Sequence, residues 1–340
     1  VIPQQRLFRR TGLQADRRKI AELNRSEEKE RTSKKNSASA KGMKQSRVRR
    51  EVGQIRERHD TGIELVKTSS FICDEDKVLA QNPYNLSVII SVSNEEGTIG
   101  ELLASVKSLQ PKEVIVVENG STDKTLEICL QHEVTCFSYP YRLGHDVGRA
   151  IGAREATGEV FLFLDGDIVF QPQDLLPFVA ACYQQVDIAL NDVNPFYTKA
   201  SMIDAVSLAK RFLNRVLRHG SLKYASLTAI PHAMKRRAAE IIGYANLAIP
   251  PKAQAMAALA GLTIENVHAV NVFSTNKIRS YNSSNTNVVE DMILGDHVEA
   301  LQWVQATMGN RCFFADMIRQ REMIDHAISQ HGSFHEGYEC

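Results

Sequence analysis

Between Leu86 and Asp167 the chain repeats one pattern: short, β-branched apolar runs alternate with stretches of helical length. Leu86–Val92, Glu113–Val117, Val134–Ser138 and Val160–Leu164 read as strands buried on both faces, the signature of a parallel sheet. Between the first two, Ile99, Leu102, Leu103, Val106 and Leu109 fall at helical spacing over Thr98–Leu109, and Pro111 closes the run. Thr122–His132 reads as the next helix, with Thr122 or Asp123 as its cap, and Asp146–Thr157 as a Gly/Ala-rich third. Strand, helix, strand with short connections demands right-handed crossovers and a mostly parallel sheet flanked by helices, so the fold class is α/β.

Outside this block the pattern weakens. Residues 1–60 hold 18 Lys and Arg against 8 Asp and Glu, a surplus of +10 that leaves the remainder at −9. Few large apolar residues occur there, so residues 1–62 are expected to form a basic, largely disordered arm. Residues 63–84 read as a connector ending in the Asn82-Pro83 turn signal. Beyond Gln171, helices are expected over Asp174–Tyr183 and Ser201–His219, and strands over Asp187–Val193 and Val267–Val272. This divides the body into halves at 85–195 and 196–328, with a frayed tail at 329–340.

Apolar runs are far shorter than a membrane span needs, and the first residues lack the apolar core of a signal peptide. The expected location is therefore cytoplasmic. Six scattered cysteines without a CxxC pair imply free thiols, with Cys129 and Cys182 packed as small hydrophobes.

Ligands on such sheets gather at the C-terminal strand ends. The loops there read Ser93-Asn94-Glu95-Glu96, Glu118-Asn119-Gly120-Ser121 and Asp165-Gly166-Asp167. Neither GxGxxG nor GxxxxGK[ST] is present, which points away from NAD and from P-loop chemistry. Asp165 and Asp167 bracket one small residue at a strand end, where two carboxylates can hold a hard divalent cation with positions left open for phosphate oxygens. An isolated DxD is a weak signal, and a polar turn is the bland explanation. Its place after three strand–helix units raises its weight.

Four motifs in order make a resemblance specific. Ser91-Val92-Ser93-Asn94-Glu95-Glu96 is similar to the P-x-Y/F-N-E loop of family 2 glycosyltransferases, and Glu118-Asn119-Gly120-Ser121-Thr122-Asp123-Lys124-Thr125 to their D-D/N-G-S-x-D-x-T. The loop and helix from Arg142 to Arg154, with Gly144, His145 and Arg149, and the run Gly158 to Asp167 resemble the next two motifs. The stretch Leu86–Phe170 thus resembles the nucleotide-binding half of that family, which implies a GT-A (Rossmann-like) fold. The resemblance implies roles as well. Asn94, Glu95, Glu118 and Asn119 would lie at the nucleoside; Gly144, His145 and Arg149 would line the passage for nucleotide and diphosphate. Asp165, with Gly166, would contact ribose or metal, and Asp167 would be the main ligand of Mg²⁺ or Mn²⁺. Ser91 in place of Pro and Glu118 in place of Asp depart from the family pattern.

For the other half, Val288–Leu294 resembles the family's Glu-Asp motif at a helix start. Asp291 is the candidate general base, with Glu290 its neighbour or substitute, although acidic residues also suit a helix start electrostatically. The Ser/Asn-rich run Tyr281–Asn287 suits a mobile loop over a sugar site or a plain linker. His268 could add a metal ligand, but a satisfied strand histidine is the plainer expectation; His232 is unassigned. Trp303 is expected in the core with Val298, Leu301 and Val304. Gln302-Trp303 does not satisfy the Q-x-x-R-W of polymer-extruding synthases.

The resemblance implies a metal-dependent, inverting transfer of one sugar from a nucleotide-diphosphate sugar, a UDP-sugar favoured. The acceptor would be a glycan, a lipid-linked molecule or a small molecule, in cell-envelope or exopolysaccharide synthesis. Residues 1–60 would add peripheral contact with an anionic membrane at the inner face, and no specific nucleic acid is implied. Two other classes compete: a degenerate sugar- or nucleotide-binding scaffold without catalysis, and a sugar nucleotidyltransferase, whose Gly-rich loop is missing here.

Overall fold

The computed structural model describes residues 85–199, 202–273, 287–321 and 323. The basic arm, the connector, the 281–286 run and the 329–340 tail lie outside the described residues. Seven strands form one sheet: β1 (Leu86–Val92), β2 (Glu113–Asn119), β3 (Thr135–Tyr139), β4 (Val160–Asp165), β5 (Ile188–Asn191), β6 (His232–Lys235) and β7 (Ile264–His268). Their order across the sheet is β3-β2-β1-β4-β6-β5-β7. All pairings are parallel except those of β6, which runs antiparallel to both β4 and β5.

The central strands are apolar on both faces because both are covered. Val88, Ile90, Val116, Leu162 and Leu164 point to one layer. There they meet Leu102, Leu103 and Val106 of α1 (Ile99–Lys107) and Leu175 and Phe178 of α4 (Pro172–Tyr183). Ile89, Ile115, Val117, Phe161 and Phe163 point the other way. They meet Ala153 of α3 (Val147–Glu155), Ala238 of α6 (Arg236–Ile242) and Ala253 of α7 (Pro250–Leu259). A third cluster joins α7 to α5 (Ala205–Val216) and α8 (Val288–Met308) through Leu213, Val216, Ala255, Ala300 and Val304. The fold is thus the mostly parallel, helix-flanked α/β sheet that the pattern implies. Cys129 and Cys182 are buried, and among the described residues Cys129, Cys136, Cys182 and Cys312 are free.

Four expectations need correcting. Helix α2 (Thr125–Leu130) starts three residues late, because the Thr122 and Lys124 amides donate to the side chains of Asn94 and Glu96. The expected strand at Val267–Val272 is displaced to Ile264–His268. Beyond it the Asn191 side chain replaces a neighbouring strand, accepting from Val270 N at 2.9 Å and donating to its carbonyl at 3.0 Å. Val298 faces away from the core at 65% exposure, whereas Leu301, Trp303 and Val304 pack in the third cluster. Strand β6, only four residues long, was not foreseen. No helix among the described residues is long and apolar enough to cross a membrane.

Candidate active site

The loops after β1, β2 and β4 come together because their strands are adjacent and in register, Ser91 beside Asp165 and Val92 beside Glu118. The first two loops are stitched by reciprocal bonds. Asn94 N donates to Ser121 Oγ (3.0 Å), and Asn94 Oδ1 accepts from Thr122 N (2.7 Å). Glu95 N donates to Thr125 Oγ1 (2.7 Å), Glu96 N to Asp123 Oδ2 (3.2 Å), and Lys124 N to Glu96 Oε2 (3.0 Å). Asn94 takes a left-handed conformation, φ 57°, to turn the chain, a region that asparagine tolerates better than most residues.

Like Asn94, two more of the proposed nucleoside residues are engaged within the chain. Glu118 is buried; its Oε1 accepts from Ser121 N and its Oε2 from Ser138 Oγ at 2.7 Å. The extra methylene relative to aspartate lets the carboxylate fold back over its own turn while still reaching β3. Asn119 donates to the Gly144 carbonyl (2.9 Å) and accepts from Leu143 N, so it holds the loop leading into α3.

That loop delivers the most concentrated charge in the site. Arg149 is 5% exposed. Its Nη1 lies 2.7 Å from Asp146 Oδ1, and its Nη2 lies 3.1 and 3.0 Å from the two oxygens of Asp165. Burial opposes the guanidinium charge, but Asp146 and Asp165, with Asp167 further off, more than offset it and hold the proton tighter than in free arginine. Asp146 occupies the left-handed region, φ 61°, and burial raises its pKa more than Arg149 lowers it. Asp146 is the site residue that sequence reasoning missed; its position at the head of an Arg-bearing helix was the available signal. Nε of Arg149 is buried without a partner.

Gly166 between the two aspartates is required by packing. A Cβ there would stand 2.5 Å from Val92 Cγ2 and 2.8 Å from Val92 Cβ. Both its backbone groups tie β4 to the first loop, N to the Ser91 carbonyl (2.9 Å) and O to the Thr98 hydroxyl (2.7 Å). Ser91, where the family has proline, lies under α3; a Cβ on Gly148 would meet its Oγ at 2.5 Å. Asp165 and Asp167 are half-buried, at the rim of the sheet.

His232 is buried against Phe163, ring centroids 4.9 Å apart, and its Nδ1 pairs with the Ala229 carbonyl at 2.9 Å. Burial, then Arg149, pushes its pKa down to about 3, so it is neutral. His268 ends β7 with Nε2 3.9 Å from Asp174 Oδ1 and its ring edge-on to Phe178. Among the described residues no three His, Cys, Asp or Glu side chains converge on one point. A hard cation would therefore have the carboxylates of Asp165 and Asp167 and complete its shell with ligand and water oxygens, a donor set that suits Mg²⁺ or Mn²⁺.

Glu290 and Asp291 lie in the first turn of α8, where Asn287 caps the helix by accepting from Glu290 N at 3.2 Å. Asp291 is exposed, and neither carboxylate shares a hydrogen bond or ion pair with Asp165 or Arg149. The α8 carboxylate that feels the site is Asp296, half-buried, its pKa raised to about 6 by burial, then by Asp146 and Glu299.

Comparison with known proteins agrees with this geometry. Residues 87–218 match the family model for glycosyl transferase family 2. A 4,4'-diaponeurosporenoate glycosyltransferase of Staphylococcus aureus (strain bovine RF122 / ET3-1) is 31% identical over 130 residues. The alignment covers 36% of this chain and 34% of that protein, so the chain spans about a third of the length of this relative. The fold is similar to that of glucosyl-3-phosphoglycerate synthase from Mycobacterium tuberculosis, crystallised with Mn²⁺, UDP and phosphoglyceric acid. That match has a TM-score of 0.50 and 18% identity over 72% of this chain and 83% of that one. The same enzyme with UDP alone matches at 0.50 and 17%, over 76% and 88%. Across residues 87–218 the chain is therefore similar to family 2 glycosyltransferases, on a GT-A-type sheet.

Proposed function

We propose that the protein transfers a single sugar from a nucleotide-diphosphate sugar, a UDP-sugar favoured, to an acceptor hydroxyl. The observation that carries this is the Asp165-Gly166-Asp167 turn facing buried Arg149 at the C-terminal edge of the sheet, inside the family-matched region. The fold neighbour crystallised with Mn²⁺ and UDP supports the donor class. Asp165 and Asp167 would hold Mg²⁺ or Mn²⁺, which neutralises charge on the departing diphosphate. Arg149 is always charged and sits beside the same carboxylates, so it keeps the site's net charge low before the donor arrives. Glu95, Gly144 and His145 would border the nucleotide, with Asn94, Glu118 and Asn119 shaping the loops that receive it.

An inverting transfer needs a carboxylate to take the acceptor proton. Asp291 is the base by family resemblance, with Glu290 beside it. Asp296 is a second candidate, favoured by its closeness to Asp146. The acceptor class is a glycan, lipid-linked molecule or small molecule, and the activity belongs to envelope or exopolysaccharide synthesis near the cytoplasmic membrane face. The division of labour would follow the halves 85–195 and 196–328.

The test is a thermal-shift screen of nucleotide diphosphates with Mn²⁺, Mg²⁺ or chelator. A metal-dependent rise with one nucleotide, lost in Asp167→Ala, is expected, together with a fall in donor turnover of roughly a hundred- to a thousandfold. Full turnover in a folded Asp167→Ala would overturn the metal assignment. No shift with any nucleotide would favour a binding scaffold without catalysis.

A further inference from the structure

The outer face of α5 exposes two large apolar side chains that neither the fold nor the proposed chemistry uses. Its inner side, Ser207, Leu213, Asn214 and Val216, is buried. Its outer side shows Leu208 and Phe212 at 55% and 54% exposure, one turn apart. Arg211, which also bonds the Tyr224 hydroxyl at 3.1 Å, and Arg215 are exposed beside them at i and i+4, and exposed Arg218 follows just past the end of the helix. The chain after α8 joins this face at Arg218, whose guanidinium lies 4.6 Å from the centroid of Phe313. Further along that segment Met317 and Ile318 are 92% and 96% exposed. Residues 199–223 hold six Lys and Arg against one acid, Asp204, which is occupied in capping α5.

Exposed leucine and phenylalanine on one side of a helix flanked by arginines is the pattern of a helix lying in a bilayer interface. Charge decides among occupants. The N-terminal arm carries a surplus of +10 and would be repelled by the arginine row. A second copy docking the same face on itself would set arginine against arginine, since a two-fold contact pairs identical patches. An anionic lipid surface satisfies both the apolar and the basic residues.

We infer that α5, with the segment following α8, is a membrane-docking face that rests Leu208, Phe212, Met317 and Ile318 among anionic lipids. This deepens the transferase proposal and rests on it in one respect. The turn at Asn194–Phe196 brings the chain from the C-terminal end of β5 toward α5, and Tyr197 then bonds Ser207 of α5 at 2.9 Å. A docked α5 would place the acceptor half beside the bilayer, which selects acceptors held in a lipid leaflet.

The experiment is flotation of the full chain with vesicles of phosphatidylcholine alone or with about a third phosphatidylglycerol. Binding only to the anionic vesicles is expected, falling about tenfold or more in L208E/F212E. Phe212→Trp should retain binding and gain emission that brominated lipids quench above the Trp303 background. Absence of wild-type binding, or binding unchanged in L208E/F212E, overturns the proposal; in the second case residues 1–60 hold the vesicle. A wild-type dimer that L208E/F212E converts to monomer, with vesicles ignored, makes the face a homotypic interface and also overturns it. The UDP thermal shift with Mn²⁺ should be equal in wild type and L208E/F212E. Its absence in both would fail the donor assignment while leaving the vesicle result intact.

Discussion

The two halves of the sheet are stabilised by different means. In the N-terminal half, polar side chains bond loop backbone: Asn94 to Thr122, Glu118 to Ser121, Asn119 to Gly144. In the C-terminal half, ionisable groups are buried or half-buried where desolvation disfavours their charged forms. Burial lowers Lys210 to about 8, His297 to about 4 and His232 to about 3, and raises Asp296 to about 6. Backbone bonds of the first kind hold a loop in one shape at any ordinary pH. Groups of the second kind make stability depend on protonation. The loops of the N-terminal half are thus held by their own polar bonds, while the buried groups of the C-terminal half, and Asp146 in the N-terminal half, respond to protonation.

Three substitutions would break or sharpen this contrast. The largest effect is expected from Arg149→Met, which leaves Asp146 and Asp165 facing each other without a cation. A loss of about 3–5 kcal/mol in urea unfolding follows from stranding buried charge. Because the pKa of Asp146 is already raised, part of that loss should return on acidification. A loss under about 1 kcal/mol would mean that solvent already screens these charges.

Glu118→Asp comes next. The shorter side chain can keep Ser121 N or Ser138 Oγ but not both, which should cost about 1 kcal/mol and raise the donor KM more than it lowers kcat. Unchanged stability would show that the turn follows the carboxylate, and that the loop is less fixed than its bonds suggest.

The smallest effect belongs to Asp296→Asn. The folded-state pKa, about 6, lies above the ordinary 3.8, so the folded protein binds this proton more tightly than the unfolded chain. Ionised Asp296 is therefore a penalty that is absent below about pH 4, grows as pH rises toward 6 and is full above it. The amide should stabilise by on the order of 1 kcal/mol at pH 8, after discounting for solvent screening of a half-exposed group, and by nothing at pH 3.5. A pH-independent gain would assign the effect to packing. If Asp296 is the base, the same variant also removes the acid limb near pH 6 from the kcat profile.

The central fold was legible because β1, β2 and β4 are apolar on both faces, a pattern that survives without knowledge of neighbours. Gly166 and the flanking aspartates were legible for the same reason, since they end such a strand. β6 was not: four residues inserted between β4 and β5 carry no periodicity, and their pairing is fixed by contacts far away in the chain. Asn191 acting as a strand neighbour for Val270 is likewise a long-range event. The late start of α2 was hidden because its first amides are claimed by side chains 28 residues earlier. Asp146 was overlooked for a local reason, that it was placed inside the third helix with no role of its own. Its side chain instead turns to Arg149, and no side-chain cap forms.

The position of β6 bears on how such an enzyme could be re-engineered. A junction at 195/196, the expected boundary between the two halves, would leave β5 with no strand linking it to β4, because residues 232–235 fill that gap. The chain after residue 196 is threaded into the sheet instead of being appended to it. A chimera that exchanges chain beyond Asn194 keeps the sheet intact only if β6 and β7 stay with their parent, whereas the described residues of 195–231 and 236–263 carry no strand and can be exchanged without removing one.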